Sequence, residues 1–328
     1  GVILYAKVRD MNEKPVLLSG IKPTGEIHTG NYFGAIKQLV DLLNTDTYQG
    51  YVFIADYHAL NFIQDANEMQ RLSHELALTY LACGLDPEKV VLFKQSSVSA
   101  HTELAWVFET ITTMPYLMRA HAFKDAEAKN KEIVVGTFNY PMLMAADILL
   151  YDATVEPVGQ DQKQHIEYAR DTAEKFNRIF GDTFTLPEAH IMQDVAVVPG
   201  TDGQKMSKSY GNTIPLFASR EVLTEKVMGI VTDSSGDRPE NVYAIHRLVK
   251  SEAELAPLYE EHAGKYKALK EALIEDLDTF IAPMRTRYEE LSKDPARVAD
   301  ILAKGGELAQ ERAYAKMAQV RQRIGVAE

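Results

Sequence analysis

The chain has 328 residues, 46% hydrophobic and 25% charged, enough for one large or two modest globular domains with ample core. A formal net charge of −12 excludes indiscriminate nucleic-acid binding through a uniformly basic surface, but not a local patch for one RNA. The single cysteine, Cys83, excludes a disulfide framework and a thiolate zinc site and points to a reducing, cytoplasmic compartment. No apolar run approaches the length of a membrane span. The first ten residues carry no secretory cleavage pattern, and Met11 offers an alternative start.

Val16-Leu17-Leu18-Ser19-Gly20 reads as a short buried strand that ends at glycine. The turn over residues 21–27 leads to His28-Thr29-Gly30-Asn31, which opens an amphipathic helix carrying Ile36, Leu39, Val40 and Leu43. Strand, glycine turn and helix together aim backbone N–H groups and a helix dipole at an anion. His28 and Asn31 can each hydrogen-bond a phosphate, and Gly30 leaves room for a ribose or base. The same tetrad also reads as a helix cap with an incidental histidine. Residues 51–55 form a second strand, with Asp56-Tyr57-His58 at the carboxyl end where open α/β sheets bind ligands. His58 reads equally as a satisfied structural histidine. A helix over 68–83 and a third strand over 90–93 follow.

From 101 to 122 apolar residues recur at helical spacing, more than one sheet needs, and 124–131 reads as a flexible loop. In 140–151, Pro141 suits the first turn of a helix whose run is apolar except for Asp147. Tyr140, Met144 and Asp147 share one face of it. A buried carboxylate there requires a donor, which an indole N–H beside the Met144 thioether, an arginine or water would supply. Residues 154–159 are a fourth strand, and Asp161 starts the next helix, either as its cap or as an acceptor for ribose hydroxyls. In the loop 203–212 two ammonium groups stand three residues apart between glycines, a mobile cationic loop that can fold over a polyphosphate. A solvated turn is the plainer reading. After Asn212 the apolar residues fall in helical runs only.

Lys205-Met206-Ser207-Lys208-Ser209 is an intact match to the KMSKS signature of class I aminoacyl-tRNA synthetases. His28-Thr29-Gly30-Asn31 resembles their HIGH signature, with threonine for isoleucine and asparagine for the last histidine, the latter familiar in the tryptophanyl branch. Met144-Ala145-Ala146-Asp147 and the string Gly159-x-Asp161-Gln162-x-x-His165, followed by Ala169-Arg170-Asp171, resemble that branch in particular. Four stretches in order, 19–31, 140–151, 159–171 and 199–212, carry the resemblance across most of 18–212.

The resemblance implies an α/β protein with a Rossmann-type parallel-sheet catalytic domain over 1–212 that includes the lysine loop. It implies an all-helical anticodon-binding domain over 213–294 and a last helix, about 295–328, packed back on the first domain. The implied activity is ATP-dependent activation of L-tryptophan and its transfer to tRNA(Trp). The catalytic positions carried over are Lys205, Lys208, His28 and Asn31. ATP would also meet Lys22, Thr24, Gly30, Gly159, Asp161, Met206 and Ser207. Tryptophan would meet Tyr140, Met144, Asp147, Gln162 and His58, with Tyr140 and Gln162 receiving its α-ammonium group. Mg2+ would enter with ATP, held by phosphates and water rather than by a protein cage. A homodimer would bury the apolar excess between Leu104 and Met118. Tyrosyl-tRNA synthetases share the fold and both ATP motifs, but their pocket uses a tyrosine/aspartate arrangement for a phenol. A noncatalytic RNA-binding paralogue and a small-molecule adenylyltransferase are more distant alternatives.

Overall fold

The computed structural model describes residues 14–23, 25–129, 132–158, 163–191, 197–232 and 236–327. In chain order the first part contains β1 (Val16–Ile21), α1 (Thr29–Asn31) continued through a π-helical turn (Tyr32–Ile36) into α2 (Lys37–Asn44), then β2 (Gln49–Ile54) and α3 (Asp56–Ala59). Next come α4 (Ala66–Ala82), β3 (Val90–Lys94), α5 (Ala100–Glu109), α6 (Met114–Leu117), α7 (His121–Ala128) and α8 (Val135–Leu149). β4 (Val155–Val158), α9 (Lys163–Phe180) and β5 (Glu188–Ile191) complete the sheet. Beyond the lysine loop stand α10 (Arg220–Met228), α11 (Glu240–His246), α12 (Glu252–Glu261), α13 (Tyr266–Ser292) and α14 (Pro295–Ile324).

The five strands pair in parallel in the order β3-β2-β1-β4-β5. Buried strands need apolar residues on both faces, and β1 supplies them. Leu17 points into a cluster with Leu39, Leu76 and Ile281, whereas Leu18 points into one with Leu104, Ile148 and Phe176. The chain leaves β1 for β2 and β3 on one side, then returns to add β4 and β5 on the other. The carboxyl ends of β1 and β4 therefore flank the switch point at which open sheets form a crevice. This is the parallel α/β architecture expected above, with a helical C-terminal region. That region shares the first apolar cluster, to which Leu223, Val242, Leu273 and Met284 belong. α14 packs along β3, an edge strand, so its polar edge is covered by a helix.

Three local expectations differ from the structure. α8 begins at Val135, so Pro141 lies inside the helix rather than in its first turn. The proline cannot donate to the carbonyl four residues earlier, that of Thr137. Of the residues expected as a loop, 124–128 belong to the helix His121–Ala128, where Ala126, Glu127 and Ala128 are strong helix formers. β5 (Glu188–Ile191) is not expected from the sequence, because four residues are too few for their alternation to stand out, and they gain their strand character from pairing with β4.

Candidate active site

His28 is the N-cap of α1. Its Nδ1 accepts from the Asn31 backbone N–H (3.3 Å), and the Asn31 side-chain oxygen accepts from the His28 N–H (3.1 Å). With Nδ1 occupied as an acceptor, the proton of neutral imidazole resides on Nε2, ready to donate to an oxyanion. Burial, and then the charge of Lys208, hold the His28 pKa below the ordinary histidine value. The cap reading of this tetrad is thus a structural fact, and it orients the ring rather than consuming it.

The lysine loop is tied by its own asparagine. Asn212 accepts from the Ser207 N–H (2.8 Å) and donates to Asp202 (2.7 Å) and to the Lys205 carbonyl (3.1 Å). Gly203 and Gly211 take positive φ, 82° and 65°, which a side chain would resist. Pro199 and Lys205 form an antiparallel bridge, and the Met206 N–H donates to the Val198 carbonyl (2.8 Å). Met206 is buried, with its sulfur receiving the Thr29 hydroxyl (3.3 Å) and the Gly30 N–H (3.2 Å). A Cβ on Gly30 would stand 2.9 Å from His28 Nδ1 and 3.1 Å from the Met206 Cβ, so a side chain there would press on the cap ring and on the loop. Lys208 reaches back over the β1–α1 turn, its Nζ 3.2 Å from where a Gly25 Cβ would lie. Desolvation lowers the Lys208 pKa against the raising effect of Glu26. Lys205 and the other flank of the loop are exposed.

At the switch point lies a cavity of about 450 Å³. Ser19 to Ile21 and Glu156 line it from the strands, Lys22 from the turn after β1, His58 from α3, and Tyr140, Met144 and Asp147 from α8. Lys22 places its ammonium 5.5 Å from the Phe62 ring, and burial lowers its pKa. The Tyr140 hydroxyl is 2.9 Å from His165 Nε2.

Asp147 is fully buried and does require donors, and within the chain an amide and two imidazoles supply them rather than an arginine. Gln95 Nε2 (2.8 Å) and His101 Nδ1 (2.6 Å) reach Oδ1, while His58 Nε2 (2.8 Å) reaches Oδ2. His101 is itself backed by the Tyr151 hydroxyl at 2.7 Å. Burial pushes the Asp147 carboxyl up, but the His101 hydrogen bond and the charge and hydrogen bond of His58 outweigh it, and its pKa is lowered. Oδ2, with one partner, keeps acceptor capacity toward the cavity. His58 thus fits both of its readings, lining the cavity and bonding Asp147.

Lys22, His28, Gly30, Asn31 and the lysine loop gather around the turn after β1, while His58, Tyr140, Met144 and Asp147 gather in the cavity beside it. Thr24, Gly159, Asp161 and Gln162 lie outside the described residues. Gln95, His101 and Glu156 were not singled out from sequence. A polar Gln95 directly after the apolar strand β3 was the available signal, but its aim at Asp147 depends on how α8 crosses the sheet.

The chain is similar to known proteins over most of its length. The family model described as tRNA synthetases class I (W and Y) matches residues 10–302. The tryptophan–tRNA ligase of Fusobacterium nucleatum is 44% identical over 318 residues, covering 94% of this chain and 97% of that one. That of Rhodopirellula baltica is 44% identical over 323 residues, covering 94% and 99%. The crystal structure of the Campylobacter jejuni tryptophanyl-tRNA synthetase complexed with ADP and tryptophan superposes with a TM-score of 0.87 at 42% identity, covering 94% of this chain and 99% of that one. A match over most of the chain to one branch, on a site built from that branch's motifs, establishes that the chain belongs to the tryptophanyl-tRNA synthetase family of class I.

Proposed function

We propose that the chain is a tryptophan–tRNA ligase, acting in the cytoplasm, that activates L-tryptophan with ATP and transfers it to tRNA(Trp). The observation that carries this reading is the seat of Met206 on Thr29 and Gly30, which brings Lys208 beside His28 at the turn whose first residues line the cavity of Asp147. The C. jejuni relative, complexed with ADP and tryptophan, supports the use of an adenine nucleotide and this amino acid.

In the first step the tryptophan carboxylate attacks the α-phosphorus of ATP in line. The bond to the β-phosphate oxygen breaks, and pyrophosphate leaves tryptophanyl-adenylate behind. A hydroxyl of the terminal adenosine of the tRNA then attacks the acyl carbon and AMP departs. Neither step needs a protein nucleophile, so catalysis rests on positioning and on neutralising the triphosphate. His28, through Nε2–H, and Asn31 hold phosphate oxygens, and Lys205 and Lys208 close on the β- and γ-phosphates. Lys22 and Thr24 flank them, and Gly30, Met206 and Ser207 shape the seat of the nucleotide. Gly159 and Asp161 take the ribose. Tyr140 and Gln162 receive the α-ammonium group, and Met144, His58 and Asp147 meet the indole. Mg2+ would accompany ATP and neutralise phosphate charge, and the donors of His28 and Lys208, which suit phosphate oxygens and not a cation, would leave its ligands to phosphates and water.

Residues 213–294 serve the anticodon and α14 returns to the catalytic part. Several basic residues here are ion-paired, among them Arg238 with Glu240 and Arg247 with Glu252, while Arg238 also stacks 4.0 Å over Tyr243. The active unit is a homodimer.

The test is ATP–pyrophosphate exchange with each amino acid. Tryptophan should stimulate it and tyrosine should not; the reverse result would return the chain to the tyrosine–tRNA ligases. Lys208→Ala should raise the activation barrier by about 2–4 kcal/mol, as for loss of one preorganised donor. Tryptophan affinity should stay nearly constant, because the loop meets phosphates and not the indole.

A further inference from the structure

Among the polar groups of the amino-acid cavity that have no role above is Glu156. Glu156 follows Val155, whose partner on β1 is Leu17, so its side chain rises on the face of the sheet shared by Leu18 and covered by α8. It lines the cavity together with Asp147 and Ile148. Its Oε2 is buried and has no hydrogen-bond partner among the described residues. Asp147, by contrast, already accepts from Gln95, His101 and His58. A buried carboxyl oxygen without a donor is costly, and the cost is relieved when a ligand brings one. Burial, and then the charge of Asp147, push the Glu156 pKa up to about 8. Near neutral pH the group is mostly an uncharged acid, able to sit against Leu18 and Ile148 and to accept a hydrogen bond without adding a second full charge beside Asp147.

We propose that Glu156 is a specificity-determining residue of the aromatic pocket, its carboxyl taking a hydrogen bond from an N–H or O–H group on the side-chain ring of the amino acid. The inference rests on the reading of this cavity as the tryptophan site. Two sources fit the same chemistry. One is the indole N–H, shared between Glu156 and the remaining acceptor capacity of Asp147. The other is a hydroxyl on the benzo ring, which extends the substrate class to ring-hydroxylated tryptophans.

Exchange kinetics separate these sources when tryptophan is compared with 3-benzothienylalanine, in which sulfur replaces the N–H, and with tryptophans hydroxylated at each benzo carbon. If the indole N–H is the donor, Glu156→Val should lower the tryptophan/benzothienylalanine ratio of kcat/KM by about tenfold or more. If a ring hydroxyl is the donor, the same variant should lower the ratio of one hydroxytryptophan to tryptophan by about as much. Glu156→Gln keeps a carbonyl at the same reach and should recover part of the lost ratio. Should the valine variant fail to fold, Glu156→Met, similar in length, carries the same comparison. A purely structural role would lower all activities together. Ratios that are the same in the wild type and the apolar variant overturn the proposal. Absence of tryptophan-stimulated exchange in the wild-type protein would instead overturn the reading of the cavity.

Discussion

Asp147 shows how a residue gains its meaning from its neighbours. Three protein donors converge on a carboxylate that the helix alone would strand in an apolar face. Removing it leaves two buried imidazoles and an amide without their acceptor, so Asp147→Ala should cost about 3–5 kcal/mol of stability as well as activity. Asp147→Asn keeps the shape and isolates the charge. The folded pKa lies below the ordinary aspartate value, so the carboxylate contributes stability that is fully present above the unfolded pKa of about 4. That contribution is lost as pH falls through the folded value. Urea melting should show a wild-type advantage over Asp147→Asn that is constant at neutral pH and shrinks on acidification below about pH 4. A difference that stays level across that range would mean that the charge is not what the histidines hold.

α14 shows that a helix can be recognised from sequence while its close approach to the sheet cannot. Its thirty residues start at a proline after the Asp294 cap, a clear local signal. Nothing local distinguishes Gly305 as a packing position, since glycine inside a helix is simply unfavourable. In the structure a Cβ on Gly305 would lie 1.9 Å from the Leu92 carbonyl oxygen, so glycine lets the helix ride directly on the backbone of β3. Gly306 faces Ser97 at a more tolerant 3.1 Å. Gly305→Ala should therefore destabilise the fold by about 3 kcal/mol, outweighing its better helix propensity. Gly306→Ala should cost clearly less. Equal denaturation midpoints for the two variants would contradict this account of how α14 docks.

For the whole molecule, the apolar segment from Leu104 to Met118 divides its labour. Leu104 and Phe108 are fully buried within the chain, so part of the excess expected at an interface is core. Trp106 and Met114 each keep 67% of their surface exposed, and Met118 keeps 46%. They stand on α5 and at α6, both of which pack on α8, whose Val135 is also exposed. Large apolar side chains grouped on neighbouring elements suit a subunit contact of the hydrophobic kind. Sedimentation equilibrium should give about twice the 36.7 kDa chain mass, and Trp106→Glu should shift the protein toward monomer. A wild-type monomer independent of concentration would remove the dimer from the proposal.

Local sequence was sufficient wherever a short stretch carries its own physics. Short runs rich in apolar residues marked β1 to β4, and the cap at His28 marked the helix start. The two lysines between glycines marked the cationic loop, because charge spacing and backbone freedom are properties of consecutive residues. Tertiary structure alone decided what meets across distance. The sulfur of Met206 against Gly30, 176 residues away, Gln95 and His101 on Asp147, and Glu156 with an oxygen that has no partner among the described residues are examples. Such contacts depend on which strand lies beside which and on the angle at which a helix crosses the sheet. Both are settled by burial summed over the whole core, to which no single stretch of sequence has access.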